Sequence, residues 1–439
     1  MRHNKLIMSL IMLTEAAILT ALFVVALSFY NRLSLSLLYY AKGLIIYIII
    51  YVGLLTTVTK LYGGYGIGTY RIFELAFSQI LSIAFVNMIT YLQISLIAKE
   101  LLRADYLIIL TVVQFIFAGL WMVLSNRIYY RIFRSSKMLL IYGKDYPTSL
   151  LEKIKTNVEK YNLSKIMFEG EISMYGHRAM LEGFRGVMIY QVTPDLAANI
   201  KEYCFEKNIQ LYIVPEISDI LINHADQIVL ADTPLLHCGN ESMSIGQEIL
   251  KRISDLLISS LVLLMLSPLM IATAIAIRLY DHGPVIYSQE RLTRDGRKFM
   301  LYKFRSMVDD AERDGVAKLS TKGDERITAI GGFLRKIRFD EVPQFFNVLL
   351  GDMSVVGPRP ERESIAASYE EVLPEFANRL KMKAGITGYA QVYGKYNTSP
   401  KDKLIMDIIY INNYSVLLDL KLILLTIKIV FLPGKTEGI

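Results

Sequence analysis

The sequence is short of cysteine, since Cys204 and Cys238 are the only two among 439 residues. Their separation matches no metal-ligand spacing and no disulfide framework. We therefore expect reduced thiols and a cytosolic setting for the soluble part of the chain. A cleavable signal peptide is not expected either, because the first apolar run is too long and no small-residue cleavage site follows it.

Concentrated charge of one sign is also lacking. The net charge is +7 and the pI about 9.0, but the basic residues are not gathered into a tail or a basic helix. This spread argues against a nucleic-acid partner. A mildly basic soluble part suits anionic lipid headgroups and phosphorylated substrates instead.

Long apolar runs are abundant, as the 53% hydrophobic content and the mean hydropathy of +0.37 indicate. Four of them precede residue 137, at about 6–30, 44–58, 72–98 and 106–125. Each can reach the ~20 residues that a spanning helix needs. Basic residues follow the fourth run, namely Arg127, Arg131, Arg134 and Lys137. By the positive-inside rule, residues 1–136 are predicted to form four spans with both flanks in the cytosol.

Polar residues within these runs, such as Asn87 and Gln114, have two interpretations. Buried polar groups in a membrane are functional candidates. The simpler interpretation is hydrogen bonding between the helices of a bundle.

Residues 137–245 have the sequence pattern of an α/β domain. Strands are predicted at 138–142, 165–168, 186–190 and 210–214, with helices at 150–161 and 194–207 between them. This alternation predicts a small parallel sheet. The Gly-x-Gly-x-x-Gly fingerprint of nucleotide folds is missing, because the first turn is Gly143-Lys-Asp-Tyr-Pro147. We predict a degenerate Rossmann-like domain, similar to CoA-binding domains, with a structural or regulatory role.

A fifth apolar run covers residues 251–278 and contains Ser267-Pro268 near its middle. Proline removes a helical donor, and a serine hydroxyl can satisfy part of what is lost. The run is either a kinked span or a re-entrant hairpin that enters and leaves one membrane face. A fifth span would place everything after it outside, away from cytosolic nucleotide substrates. Basic residues at both ends, Lys251-Arg252 and Arg278, also favour the hairpin.

Adjacent acids, Asp340 and Glu341, lie between two blocks of basic residues. Two anions repel phosphate unless a divalent cation lies between them or one of them attacks it. Pro343 requires the helix predicted at 340–350 to begin near Asp340, where the macrodipole would lower both carboxylate pKa values. The simpler interpretation of the pair is helix capping alone.

Four basic residues are candidate phosphate ligands. Arg335 adjoins the acids, and Arg359 has proline on both sides, which makes its backbone stiff and its guanidinium preorganised. Lys303 and Arg305 share one face of a predicted strand. The alternatives are a surface ion pair for Arg359 and a solvated strand edge for the other two. Residues 414–432 are predicted to form an interfacial amphipathic helix.

From residue 251 onward the chain resembles the catalytic domain of bacterial polyprenyl-phosphate glycosyl-1-phosphate transferases, the monotopic phosphoglycosyl transferase superfamily. Ordered motifs carry the resemblance: Lys251-Arg-Ile-Ser-Asp255, Leu266-Ser-Pro268, Gly283-Pro-Val-Ile-Tyr287, Gln289-Glu-Arg291, Lys303-Phe-Arg-Ser-Met307, Arg326-Ile-Thr328, Asp340-Glu-Val-Pro-Gln344, Asn347-Val348, Gly351-Asp-Met-Ser-Val-Val-Gly-Pro-Arg-Pro360, Gly385-Ile-Thr-Gly388 and Ala390-Gln391. The four spans and the degenerate domain resemble the large members that start capsule, O-antigen or exopolysaccharide synthesis. Arg338-Phe339 departs from the usual Ser or Thr with Leu, and Val342 from the usual Leu.

The resemblance implies a fold and an activity. The expected fold is a four-span helical bundle, a Rossmann-like domain at 137–245 and an α+β catalytic domain at 246–439 with a re-entrant helix-break-helix at 251–278. Asp340 would attack the phosphate of a UDP-sugar, releasing UMP, and polyprenyl (undecaprenyl) phosphate would then take the phosphosugar.

The resemblance also implies a cofactor, partners and a location. Glu341 would be a Mg²⁺ ligand, Arg335 and Arg359 would hold phosphates, and Ser267-Pro268 would turn the hairpin. The enzyme would lie in the bacterial inner membrane with its catalytic domain at the cytoplasmic face of the bilayer. A homodimer through the α/β domain is compatible with this arrangement, and the sugar is left open.

Two competing functions are weighed against this expectation. A membrane-anchored nucleotide-sugar dehydratase needs the glycine fingerprint and a Tyr-x-x-x-Lys pair. Tyr161 with Lys165 and Tyr203 with Lys207 fit the second pattern, but the first is missing. A transporter or membrane scaffold whose soluble part only binds predicts that Asp340→Asn keeps full function.

Overall fold

The structure is a computed structural model in which residues 2–33, 41–132, 137–155, 161–175, 180–223, 225–239, 243–308, 324–394 and 398–431 are described. The chain divides into two compact units, Met1–Pro215 and Glu216–Ile439. The predicted boundaries after residues 136 and 245 stay predictions.

The first unit begins with four long helices built from the first four apolar runs. They are α1 (Arg2–Leu33), α2 (Ala41–Leu61), α3 (Ile72–Ala98) and α4 (Asp105–Ile132). All four are long and apolar enough to cross a membrane, as is one helix of the second unit. The chain is therefore a membrane protein by length and composition of its helices. Arg134, part of the predicted positive flank, lies outside the described residues.

One buried polar network touches all four helices. The Asn87 amide donates to Gln114 Oε1 at 2.8 Å, and the Tyr51 hydroxyl donates to Asn87 Oδ1 at 3.1 Å. Gln114 Nε2 donates to the Leu19 carbonyl at 3.0 Å. These residues come from α3, α4, α2 and α1, so polar groups satisfy one another across the bundle. The simpler interpretation of Asn87 and Gln114 is confirmed.

The rest of the first unit is a four-stranded parallel sheet in the order β2-β1-β3-β4. Its strands are β1 (Lys137–Tyr142), β2 (Asn162–Phe168), β3 (Gly186–Tyr190) and β4 (Gln210–Ile213). The helices between them are α5 (Thr148–Lys155), α6 (Glu169–Tyr175) and α7 (Pro194–Glu206). Leu139 and Ile141 pack on one face with Ile200 of α7, while Leu140 packs on the other with Ile154 of α5. Helices on both faces explain why β1 is apolar throughout, and the predicted parallel sheet is confirmed.

Gly143 directly follows β1, at the place where a phosphate-binding turn would begin. A Cβ on Gly143 would lie 2.1 Å from the Gln191 carbonyl oxygen, so glycine is needed for close approach of two backbones. This close packing explains why position 143 is glycine, and the explanation requires no nucleotide-binding role.

The second unit contains the remaining elements. They are α8 (Ile217–Asn223), β5 (Asp226–Leu230), β6 (Thr233–His237), α9 (Ile245–Asp281), β7 (Ile286–Leu292), β8 (Lys298–Phe304), α10 (Ala329–Lys336), α11 (Gln344–Leu350), β9 (Ser354–Val356), α12 (Glu363–Val372), β10 (Gly385–Thr387), α13 (Tyr389–Tyr393), α14 (Pro400–Asn412) and α15 (Val416–Phe431). Strands β5 and β6 form one antiparallel hairpin and β7 and β8 another, while β9 and β10 pair in parallel. The main core joins β8, β9 and α15 through residues such as Leu301, Val355 and Leu425.

Helix α15 corresponds to the predicted interfacial helix. Leu422, Leu425 and Ile429 are buried in the core, whereas Leu417 and Phe431 are exposed. The helix is therefore apolar both on the side that packs into the protein interior and on the side that is exposed. Leu432, the predicted end, lies outside the described residues.

Helix α9 runs unbroken through Pro268 and begins with a capping box between Ser244 and Gln247. Proline at 268 removes the N–H that would serve the Leu264 carbonyl, and the Ser267 hydroxyl donates to that carbonyl at 2.8 Å. The compensation expected from the Ser-Pro pair is confirmed. The predicted break at Ser267-Pro268 does not interrupt the helix, which runs over Ile245–Asp281. The re-entrant placement in the membrane stays a prediction.

Three charged residues, Lys251, Arg252 and Asp255, fix the start of α9 to the rest of the second unit. The Lys251 ammonium lies 2.7 Å from Asp419 Oδ2 of α15. Arg252 donates to the Val348 and Leu349 carbonyls at 2.6 and 2.8 Å, which satisfies the C-terminal end of α11. The Lys-Arg-x-x-Asp motif is therefore an anchoring device.

Asp255, the last residue of the Lys-Arg-x-x-Asp motif, accepts hydrogen bonds from the Ser354 hydroxyl at 3.0 Å and the Val355 N–H at 2.9 Å. These two hydrogen bonds fix the position of β9.

Candidate active site

Asp340 and Glu341 lie in a single 3₁₀ turn, Phe339–Glu341, between α10 and α11. The turn is anchored by Phe339, whose ring stacks parallel to that of Phe304 with centroids 6.0 Å apart. Helix α11 begins only at Gln344, after Pro343. The predicted helix start near Asp340 is wrong by one turn, because the chain makes a separate 3₁₀ turn first.

Three cations face the Glu341 carboxylate. Lys303 Nζ lies 2.9 Å from Oε1, Arg359 Nη2 lies 3.3 Å from the same oxygen, and Arg338 Nη1 lies 3.7 Å from Oε2. Burial alone would raise the pKa of Glu341, but the charges of Lys303, Arg359 and Arg338 outweigh it and hold the pKa well below its usual range. Glu341 is therefore ionised at neutral pH.

Asp340 has the opposite electrostatics. Burial raises its pKa and the neighbouring Glu341 adds to the rise, while Lys303 and Arg335 act against it. The expectation that a helix dipole lowers both carboxylate pKa values is wrong for Asp340, because burial dominates there. Burial and the placement of the cations thus push the pKa values of two adjacent carboxylates in opposite directions, and such shifts are common among the titratable groups of active sites.

Arg335 is held beside the acids by a tight packing contact of α10. Its Nε donates to the Ser306 hydroxyl at 2.8 Å. Thr328 caps α10 by accepting from the Gly331 N–H at 3.0 Å. A Cβ on Gly331 would lie 2.0 Å from the Ser306 carbonyl oxygen, so only glycine lets α10 approach this segment. Burial lowers the pKa of Arg335, and the charge of Asp340 opposes that shift.

Lys303 and Arg305 were predicted to share one strand face, and the structure separates them. Lys303 lies within β8 and contacts Glu341. Arg305 follows the end of β8, is buried, and has its guanidinium against Gly283, where a Cβ would lie 2.0 Å from Nη1. Lys303 therefore lies beside Glu341, whereas Arg305 is packed against Gly283. A phosphate-binding role for Arg305 stays a prediction.

Arg338 lies at the site but was not among the candidate residues predicted from the sequence. It has a left-handed backbone, with φ 55°, which lets the chain turn from α10 into the 3₁₀ turn. Its signal in the sequence is the departure from Ser or Thr at this position. The sign of φ for a non-glycine residue cannot be read from sequence, so its aim at Glu341 could not be foreseen.

The donor set suits a magnesium ion that also binds phosphate. No group of three or more His, Cys, Asp or Glu residues able to hold a metal occurs within the part of the chain that the structure describes. Mg²⁺ commonly uses only one or two carboxylates together with substrate phosphates and water. The ionised Glu341 and the adjacent Asp340 meet that requirement. Glu341 would exchange at least one of its basic partners for the metal.

Comparison with known proteins places this site inside a recognised domain. A family model described as bacterial sugar transferase matches residues 246–433. The chain is 37% identical over 240 residues to the UDP-N-acetylgalactosamine-undecaprenyl-phosphate N-acetylgalactosaminephosphotransferase of Aeromonas hydrophila, covering 53% of this chain and 56% of that protein. It is 36% identical over 220 residues to the UDP-glucose:undecaprenyl-phosphate glucose-1-phosphate transferase of Escherichia coli (strain K12), covering 49% and 47%.

A third relative is matched over nearly its whole length. The chain is 38% identical over 196 residues to the exopolysaccharide production protein PSS of Rhizobium leguminosarum bv. phaseoli, covering 43% of this chain and 98% of that protein. By contrast, the chain spans about half the length of the two relatives named before it.

Proposed function

The chain belongs to the bacterial sugar transferase family, and from this premise we propose that it transfers a sugar-1-phosphate from a UDP-sugar to undecaprenyl phosphate. UMP is the other product, and the reaction begins assembly of a capsule, O-antigen or exopolysaccharide. The observation that carries the proposal is the buried Asp340–Glu341 turn facing Lys303, Arg335, Arg338 and Arg359. Two of the named relatives, those of Aeromonas hydrophila and Escherichia coli, carry the names of transferases from UDP-sugars to undecaprenyl phosphate, which supports the substrate class.

The proposed reaction has two displacements at one phosphorus atom. A carboxylate oxygen of Asp340 attacks the phosphorus that bears the sugar, and the bond to the UMP oxygen breaks. A phosphate oxygen of the lipid then attacks the same phosphorus, and the bond to Asp340 breaks, which restores the carboxylate. Splitting the transfer in this way replaces one difficult step by two easier ones.

The basic residues supply positioning and charge in both displacements. Lys303 and Arg359 lie within 3.3 Å of Glu341, so a phosphate bound against Asp340 meets guanidinium and ammonium groups that are already oriented. Mg²⁺, held by Glu341 and phosphate oxygens, would neutralise charge that develops on those oxygens. Arg335 reaches the same turn from the side of Asp340.

We propose that α9 re-enters one leaflet and that α1 to α4 are the spans. Its start is fixed to the second unit by Lys251 and Asp255, and Ile277 near its end packs against Phe304 and Leu334 of that unit. Leu266 and Met270, on either side of Ser267-Pro268, pack against the same cluster. Contacts at both ends and the middle with one compact unit support a helix that does not carry its ends to opposite faces.

This topology is tested by single cysteines at Glu248 and His282 in a chain with Cys204 and Cys238 replaced by serine. We expect both to resist a membrane-impermeant thiol reagent in intact cells and both to react in inverted vesicles. Reaction of only one of them in intact cells would mean that α9 crosses the bilayer.

The reaction is tested by incubating the full chain with UDP-sugars and Mg²⁺ without lipid acceptor. We expect UMP release of about one equivalent and a phosphosugar mass adduct on Asp340. Asp340→Asn should abolish both, while the matched control Asp295→Asn, at an exposed position, should retain both. Full UMP release by Asp340→Asn, or an adduct on another residue, would reject the proposal. The sugar that gives the fastest release identifies the natural donor.

A further inference from the structure

The backbone that carries Arg359 is held by an unusual set of donors. All four consecutive carbonyls of residues 358–361 accept a hydrogen bond. The donors in order are the Gly385 N–H (2.9 Å), Arg379 (2.8 Å), Arg291 (3.4 Å) and the Leu292 N–H (3.0 Å). The outer two carbonyls meet backbone, as in a sheet, but the middle two meet arginine side chains.

Proline explains why side chains are needed. Residues 358 and 360 are prolines and carry no N–H, so this segment cannot form a regular ladder with a neighbouring strand. A buried carbonyl without a donor costs free energy. The two arginines therefore supply the donors that a neighbouring strand would supply elsewhere, at the carbonyls of Arg359 and of the residue after it.

Arg379 is the more firmly held of the two. Its side chain is only 5% exposed and lies over the Phe376 ring, with Cζ 4.9 Å from the centroid. The same nitrogen, Nη2, lies 2.8 Å from the Arg359 carbonyl and 2.9 Å from Asp407 Oδ2. Glu361 lies 3.6 Å from Nη1. The guanidinium thus connects Asp407 on α14 to the main chain of Arg359.

We propose that Arg379 is a positioning residue for phosphate binding, held in place by Asp407. By fixing the Arg359 carbonyl, it fixes the origin of the Arg359 side chain, whose guanidinium contacts Glu341 at 3.3 Å. This inference rests on the proposed function, because it assigns Arg359 to the substrate phosphates. Lysine could keep the charge at position 379, but it lacks the second nitrogen, Nη1, which faces Glu361 in the arginine.

A double-mutant cycle tests the relation between the two arginines. The affinity of the full chain for UDP with Mg²⁺ is measured by calorimetry for the unaltered chain, Arg359→Ala, Arg379→Lys and the double variant. We expect Arg359→Ala to weaken binding about tenfold to a hundredfold, as for loss of a charge-assisted hydrogen bond. Arg379→Lys should weaken it about tenfold.

The double variant is decisive because a residue that acts through Arg359 has nothing left to position once Arg359 is gone. It should bind UDP as Arg359→Ala does, within about twofold. Multiplication of the two single effects would show that Arg379 only stabilises the fold, and unchanged binding by Arg379→Lys would also overturn the inference. A chain that binds no UDP would overturn the proposed function, and this inference with it.

Two further variants keep the test independent of folding. Asp407→Asn is nearly isosteric and removes the carboxylate charge that faces Arg379, so it should weaken UDP binding severalfold and again have no effect in Arg359→Ala. If Arg379→Lys does not fold, this second cycle decides by the same criterion. Arg294→Lys, at a half-exposed ion pair with Glu248, is the matched control and should bind UDP normally.

Discussion

The buried pair between Lys251 and Asp419 offers the sharpest test of how the second unit is held together. Their charged atoms lie 2.7 Å apart, and the side chains are only 6% and 10% exposed. The Tyr410 hydroxyl lies 3.2 Å from Lys251 Nζ and donates to Asp419 Oδ1 at 2.7 Å. Lys251→Met leaves a carboxylate buried without its cation.

Removing one partner of a buried ion pair costs about 3–5 kcal/mol, because the remaining charge stays desolvated. For a unit of this size, 1 kcal/mol corresponds to about 2–4 °C. We therefore expect Lys251→Met to lower the Tm of the second unit by about 6–20 °C. The loss should be larger at pH 8 than at pH 5, because burial raises the pKa of Asp419 and a proton can replace the missing cation at low pH.

The assay is scanning calorimetry of the detergent-solubilised chain. The double variant Lys251→Met with Asp419→Leu removes both charges and keeps the volume, so it should recover most of the loss, since apolar replacements of buried pairs are often neutral. A single-variant loss of less than about 2 °C, or a double variant as unstable as the sum of the singles, would refute the reasoning.

Three further outcomes follow from other parts of the site. Burial raises the pKa of Asp407 to about 6 from 3.8, so its contribution to stability is present at low pH and is lost as the pH rises through 6. The stability of the unaltered chain relative to Asp407→Asn should therefore fall by up to about 3 kcal/mol between pH 4 and 8, and calorimetry showing no pH dependence would contradict it. Gly331→Ala should lower UMP release at least about tenfold by pushing α10 off Ser306, and a fully active variant would show that the contact can relax. Arg338→Gly removes one cation from Glu341 and relieves the left-handed backbone, so activity should fall while Tm does not, and a parallel loss of both would argue for a purely structural role.

Regular elements were predictable where one pattern dominates. The third apolar run gave residues 72–98, the bounds of α3, and the strand predicted at 186–190 has the bounds of β3. Both segments are apolar runs with clear ends. The two acids and three of the nearby bases, Lys303, Arg335 and Arg359, were also found from sequence, because adjacent carboxylates between blocks of cations are typical of a site that binds phosphate.

The geometry of the site was less predictable, for physical reasons. The opposite pKa shifts of Asp340 and Glu341 depend on which cations reach which carboxylate, and adjacent positions do not reveal that. Arg305 was paired with Lys303 by strand alternation, but its guanidinium lies against Gly283 whereas Lys303 contacts Glu341. Arg379 lies 20 residues from Arg359, in the 3₁₀ helix Pro374–Lys381, so its contact is a product of the tertiary fold.

The Ser267 hydroxyl that serves the Leu264 carbonyl makes the choice of residue at 267 depend on the proline at 268. A proline in an apolar helix is tolerated only if a neighbour supplies the donor it removed. Sequences that keep the proline should therefore be restricted to small hydroxylated residues just before it, whereas sequences that lost the proline should be free to place an aliphatic residue there.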